Sequence, residues 1–159
     1  GEPADKRAIA LFENLKKIWN NKKCVFVEGK QTRLGVGNDL FQNTKSIKRI
    51  LAPAENAFEA YDKILEECLK QGKENLFLLA LGPTATVLAY DLCRQGFQAI
   101  DVGHVDLEYE WFLRGEGHRT YVEGKYNNEL NGGEHPADVK DPWYEAQIVA
   151  DISESRVYN

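Results

Sequence analysis

Methionine is absent from the whole chain, and cysteine is scarce: Cys24, Cys68 and Cys93 are the only three, with no CxxC pair among them. That scarcity argues against both a disulfide framework and a zinc ribbon. With two of the three inside apolar periodic segments, buried free thiols in a reducing cytoplasm are the expected state. His118 and His135 also lack partners at zinc-site spacing. No apolar run approaches the ~20 residues that span a bilayer, and no basic stretch followed by an apolar one opens the chain, so neither membrane insertion nor secretion is expected. Positive charge is in deficit, 20 Lys and Arg against 25 Asp and Glu. The resulting net charge of −5 offers no general attraction to nucleic acid phosphates. Without an initiator methionine, Gly1 reads as a tag scar or a truncation point, and the chain as a fragment.

What is present suffices for one domain over residues 1–159: 43% hydrophobic and 28% charged residues describe a globular chain that needs no staples. Residues 4–19 place Ile9, Leu11, Phe12, Leu15, Ile18 and Trp19 at helical spacing, with Lys6, Arg7, Lys16 and Lys17 outside. CVFVEG at 24–29 reads as a buried strand. The following stretch, 30–44, is polar and punctuated by glycine, a loop of functional length. A short helical turn from residue 46 leads to a strand at 49–52, and a surface helix spans 56–72, stopped by Gly72. LFLLAL at 76–81 is the most apolar run and the candidate for the central parallel strand. GPTATVLAYDLCRQG turns at Gly82 and Pro83 and continues as a helix to Gly96, before a further strand at 97–102. This alternation implies an α/β fold, a Rossmann-like parallel sheet flanked by helices with right-handed crossovers. The core covers 22–115. Over the polar extension 116–159 the pattern weakens to a short strand at 120–123, a loop, and a final helix near 143–150.

Chemistry is concentrated in GHVDLEYEW at 103–111, where His104, Asp106, Glu108 and Glu110 follow the strand at 97–102 directly. Carboxylates at the carboxyl end of such a strand stand where α/β sheets bind ligands. In an extended segment Asp106, Glu108 and Glu110 share one face. In a helix Asp106 and Glu110 become neighbours and Glu108 lies under His104. Either geometry gathers oxygen ligands for a divalent metal, against the plainer reading of an acidic first helical turn favoured by the dipole. In GPTAT, amides near Thr84 and Ala85 and the hydroxyls of Thr84 and Thr86 can grip a phosphate oxygen, or simply form a capped helix start.

GVGND at 35–39 fails the dinucleotide-loop pattern, because no third glycine follows at the required spacing. Gly35 and Gly37 still let the backbone approach a ligand, with Asn38 and Asp39 facing a ribose or base, unless the segment is a plain turn. In KYNNEL, Asn127, Asn128 and Glu129 offer amides and a carboxylate to sugar hydroxyls, or form a surface turn. Lys45, Lys48 and Arg49 make a basic spot able to hold one phosphate. Tyr109, Trp111 and Phe112 read as packing against the sheet.

Taken in order, TRLGVGNDLFQNTKSIKRILAP, LALGPTATVLAYDL and QAIDVGHVDLEYEWF resemble a bacterial glycosyltransferase family of the GT-D fold, over roughly residues 22–150. The resemblance implies a transferase that uses a UDP-sugar, with UDP-glucose the best-known donor, to extend O-linked glycans on serine-rich repeat adhesins of streptococci. It implies an Asp-x-Glu motif for Mn²⁺ or Mg²⁺, matched by Asp106 and Glu108. By the same resemblance the donor faces Gly35, Gly37, Asn38, Asp39, Gly82, Thr84, Thr86 and His104, and Glu110 and Glu129 are candidates for activating the acceptor. Members also carry an N-terminal portion with an Arg-x-Gly-Asp-Gly-Glu type motif, which nothing upstream of Ala4 supplies, so the chain is expected to be the C-terminal portion of such a domain. The rivals are another Rossmann-like enzyme, such as a methyltransferase that holds ribose with an acidic residue, and a catalytically incomplete remnant that docks a partner domain.

Overall fold

Alternate side chains of one strand, β1 at Lys23–Gly29, divide the core into two faces. The computed structural model describes residues 2–115 and 141–153. In it Cys24 and Phe26 enter one apolar cluster and Val25 and Val27 the other, as a period of two requires. Four further strands pair in parallel around β1: β2 (Ser46–Ala52), β3 (Leu76–Ala80), β4 (Gln98–Asp101) and β5 (Ile148–Asp151). Their order is β4-β3-β1-β2-β5, so the chain leaves β1 in one direction to reach β2 and later continues outward from β3 on the other side. The boundary between β1 and β3 is the topological switch point, where open α/β sheets accept ligands beyond their strand ends.

Helices cover both faces. On one, α2 (Tyr61–Leu69) and α3 (Thr84–Arg94) bury Ile64, Cys68, Ala85, Leu88 and Leu92 against Val25, Val27, Ile50 and Leu79. On the other, α1 (Glu2–Trp19) and α4 (Val105–Leu113) bury Phe12, Trp19, Val105 and Tyr109 against Phe26 and Leu78. Parallel neighbours are usually joined by a helix. Residues 30–45, between β1 and β2, contain none. Buried Leu34, Leu40 and Phe41 pin this crossover to the second face, and the indole N–H of Trp19 donates to the Leu40 carbonyl at 3.0 Å. Among the described residues no helix is long and apolar enough to cross a membrane.

The parallel Rossmann-like sheet agrees with the sequence pattern, with four local differences. The turn read before Arg49 is already strand, because Ser46, Ile47 and Lys48 pair with Lys23, Cys24 and Val25. LFLLAL forms β3, but the central position belongs to β1, whose own run hides a charged residue, Glu28. The final helix is only α5 (Pro142–Gln147); from Ile148 the β-branched Ile148 and Val149 continue as β5 along the edge of β2. Cys93 is exposed on the outer side of α3, whereas Cys24 and Cys68 are buried. The strand read at 120–123 lies outside the described residues.

Candidate functional site

Beyond the strand ends opens a crevice of about 750 Å³, lined by Gly29 at the end of β1, Pro53 and Ala54 after β2, Leu81 to Thr84 after β3, and Gly103 and His104 after β4. Two glycines shape its floor. Gly82 (φ 57°) and Gly103 (φ 54°) turn the chain in the left-handed region, and nothing lies within 4 Å of where a side chain would begin. Bare backbone there leaves room for a ligand to approach closely. Of the GPTAT residues, Gly82 and Thr84 line the crevice, whereas Thr86 is exposed and lines neither depression described here. The Ala85 amide, expected to be free, already donates to the Gly82 carbonyl at 3.1 Å.

The segment 103–111 is helical from Val105, and this settles the geometry of its acids. Two residues on a helix lie about 200° apart. Asp106 is accordingly buried on the inner side and Glu108 exposed on the outer. Glu110, one turn on, returns to the side of Asp106. The Asn38 amide nitrogen joins the two, donating to Asp106 Oδ1 at 2.7 Å and to Glu110 Oε1 at 2.8 Å. Its own oxygen accepts from the Leu40 amide at 3.0 Å, fixing the crossover loop over α4. Glu110 also lies 4.0 Å from Arg114. Among the described residues no three His, Cys, Asp or Glu side chains form a group able to hold a metal ion. Asp106 is a carboxylate of the kind hard ions prefer, but it is 3% exposed, lines neither hollow described here and already accepts from Asn38. Glu108 does not share that position.

The remaining loop residues divide differently. Gly35, Gly37 and Asn38 line a second depression of about 480 Å³, bounded also by Arg49, Trp143, Tyr144 and Gln147. The predicted donor-facing residues are thus split between two hollows: His104 belongs to the crevice, and Asn38 to the second depression. Asp39 enters neither. It accepts from the Tyr109 hydroxyl at 2.5 Å and pairs with Lys16 at 3.8 Å. The Tyr109 bond holds its carboxyl below the usual range, against burial, and the Lys16 charge adds a lesser pull in the same direction as the Tyr109 bond. Tyr109 and Phe112 pack on Phe12 at 5.0 and 5.1 Å between ring centres, so these aromatics serve the core. Glu129, Asn127, Asn128, His118 and His135 lie outside the described residues.

Sequence reasoning missed the pair beneath the loop. Glu28, 0% exposed, accepts from Arg49, 3% exposed, at 2.9 and 3.2 Å. The Leu34 amide donates to Glu28 at 3.2 Å, and Arg49 returns bonds to the Leu34 carbonyl at 2.9 Å and to Gln147 at 2.8 Å. Its guanidinium also lies over the rings of Phe26 and Tyr144. Burial pushes the Glu28 carboxyl above its usual range, Arg49 opposes that, and the charge of Asp106 adds to it. Arg49 is therefore committed, and the basic spot expected from Lys45, Lys48 and Arg49 does not form. The available signal was a glutamate inside an apolar strand run, a position that calls for a buried cation nearby.

The family described as "Glycosyltransferase GT-D fold" matches residues 3–130. A probable glycosyl transferase of Streptococcus gordonii is 41% identical over 147 residues, covering 92% of this chain and 22% of that protein. Glycosyltransferase GlyD of Streptococcus pneumoniae serotype 4 is 44% identical over 146 residues, covering 92% of this chain and 18% of that protein. In structure the chain is similar to the domain of unknown function 1792 reported to have a distinct glycosyltransferase fold, with TM-score 0.88 and 44% identity over 92% of this chain and 53% of that one. A glycosyltransferase of the same domain type from Streptococcus sanguinis matches with TM-score 0.86 and 41% identity, over 90% of this chain and 53% of that one. The chain thus spans about a fifth of the curated relatives and about half of the solved chains, and the match extends from helix α1 through the crevice and α4: it belongs to the GT-D fold glycosyltransferase family.

Proposed function

We propose that this chain is part of a glycosyltransferase that moves a hexose, glucose by resemblance, from a UDP-sugar to a hydroxyl of a glycan on a serine-rich repeat adhesin, and that it forms the C-terminal portion of the GT-D domain. The observation that carries the reading is the crevice at the switch point of a GT-D fold, floored by exposed backbone at Gly82 and Gly103 and bounded by the start of α4. In this reading Thr84 and His104 contact the donor. The acceptor oxygen bonds to the anomeric carbon as that carbon's bond to the diphosphate oxygen breaks. UDP departs with the bonding electrons, and the acceptor proton passes to a carboxylate, for which Glu110 is the candidate among the described residues. Asp106 is the residue that would hold Mn²⁺ or Mg²⁺; when bound, such an ion supplies charge neutralisation to the leaving diphosphate. Asn38 orients both carboxylates.

Calorimetry with UDP and UDP-glucose, with and without Mn²⁺, tests this on the chain and on its complete parent polypeptide. Binding by the parent that is lost in a folded Asp106→Asn variant supports the assignment. A parent that ignores both nucleotides yet binds S-adenosylmethionine or NAD would overturn it.

A further inference from the structure

The second depression is lined almost wholly by groups that are neutral or already committed. Arg49 is taken up by Glu28, Leu34 and Gln147. The carboxylate of Asp141 caps α5, accepting from the Trp143 and Tyr144 amides at 2.9 and 3.3 Å. What is left facing the hollow is one exposed cation, Lys45, the Ser46 hydroxyl, and two amides: the Gln42 side chain, and the nitrogen of Gln147, whose oxygen alone is engaged by Arg49. Beside them stands Trp143, 81% exposed although its neighbour Tyr144 is buried. One exposed apolar side chain on a surface is ordinary. An exposed indole at the wall of a concave site with uncommitted neutral donors and acceptors is a different combination. It offers a flat apolar face and hydrogen-bonding groups that suit hydroxyls, without the cluster of free cations a diphosphate requires.

We infer that this depression is a sugar-binding subsite, in which a pyranose ring of the acceptor glycan stacks on Trp143 and is held by Gln42 and Gln147. At about 480 Å³ the hollow lies in the range of small-molecule sites. Its position gives the binding a purpose that rests on the transfer proposed above. Asn38, at its wall, donates to Glu110 at 2.8 Å, so the residue that lines this depression also touches the candidate base.

Intrinsic fluorescence provides the test, because Trp19 and Trp111 are buried, at 1% and 8% exposure, and Trp143 is not. The full chain is titrated with the α and β anomers of methyl glucoside and methyl N-acetylglucosaminide to about 50 mM, the range in which weak sugar contacts are measurable. A saturable blue shift with at least one of them is expected. The Trp143→Ala variant should lose it, and Gln42→Ala should weaken binding by about tenfold. UDP affinity, measured separately by calorimetry, should be the same in both variants as in the original chain. A chain that binds UDP yet shows no shift with any pyranoside overturns the inference, as does a shift that persists in Trp143→Ala or that UDP abolishes by competition. A sugar response without UDP binding would instead remove the donor assignment and leave this subsite standing.

Discussion

Replacing Arg49 by methionine removes the counter-charge of Glu28 while keeping most of the volume. Both side chains are almost wholly out of water, at 3% and 0% exposure, so the variant leaves a carboxylate stranded in the core. Breaking a buried pair in this way costs about 3–5 kcal/mol. For a chain of this size that is a fall in Tm of roughly 6–20 °C. The loss should depend on pH, with a sign that follows from linkage. Burial already raises the Glu28 carboxyl, and without Arg49 the chief opposing influence is gone. The folded variant therefore binds a proton more tightly than the unfolded chain. Its stability is greatest below the unfolded carboxylate value and falls as pH rises toward the folded one, by at most ~1.4 kcal/mol per pH unit. Urea unfolding followed by circular dichroism at pH 5 and pH 8 should show a larger deficit at pH 8. The double variant Glu28→Gln with Arg49→Met should regain most of the loss, since glutamine keeps an acceptor for the Leu34 amide without a charge. An identical deficit at both pH values, or a double variant no better than the single one, would refute the reasoning.

Other expectations are simpler to check. Gly35→Ala would bring a Cβ to 2.7 Å from the Phe41 ring at φ 76°, whereas Gly37→Ala meets nothing within 4 Å at φ 86°; the first should cost roughly 1–3 kcal/mol more than the second in denaturant titrations, and equal costs would mean that the loop yields freely. Asn38→Asp puts a third carboxylate against Asp106 and Glu110, and a loss of about 1–3 kcal/mol is expected by the same titration; an unchanged midpoint would show that the amide is not held between the two acids. Ellman's reagent should label one thiol in the native chain, Cys93, because Cys24 and Cys68 are buried and burial pushes their thiols up to about 11 and about 12. Labelling of all three at one rate before denaturant is added would contradict that core.

The strands of the core were legible because each carries a period that its burial demands, as β3 is apolar throughout; α1 was legible in part, burying Phe12 and Trp19 as its spacing demands but leaving Ile9, Leu11 and Ile18 exposed and turning Lys16 onto Tyr109 and Asp39. The site was legible in location and less so in pairing. A strand followed by Gly103, His104 and Asp106 marks the sheet edge, but sequence spacing left open whether the acids lay on a strand or a helix, and only the helix separates Asp106 from Glu108. The crossover loop hid the most. Its partners lie far away along the chain, Asn38 with Glu110 and Leu34 with Glu28 and Arg49, and no local pattern encodes such pairings. Most of the edge strand β5 was read as helix because it follows α5 without a break, and the sequence does not show that β2 offers an edge to pair with from Ile148 on.

The helix-free passage from β1 to β2 has a bearing on how the protein works and changes. Its amides close isolated turns, such as Thr32 to Gly29 at 2.9 Å and Val36 to Arg33 at 3.1 Å, in place of a continuous ladder. Deuterium should therefore enter this stretch by small separate openings while the strands beneath stay protected. Leu34, Leu40 and Phe41 anchor the passage to the platform, so the short spans between these anchors are where descendants of one ancestral scaffold can most readily diverge in what they grasp.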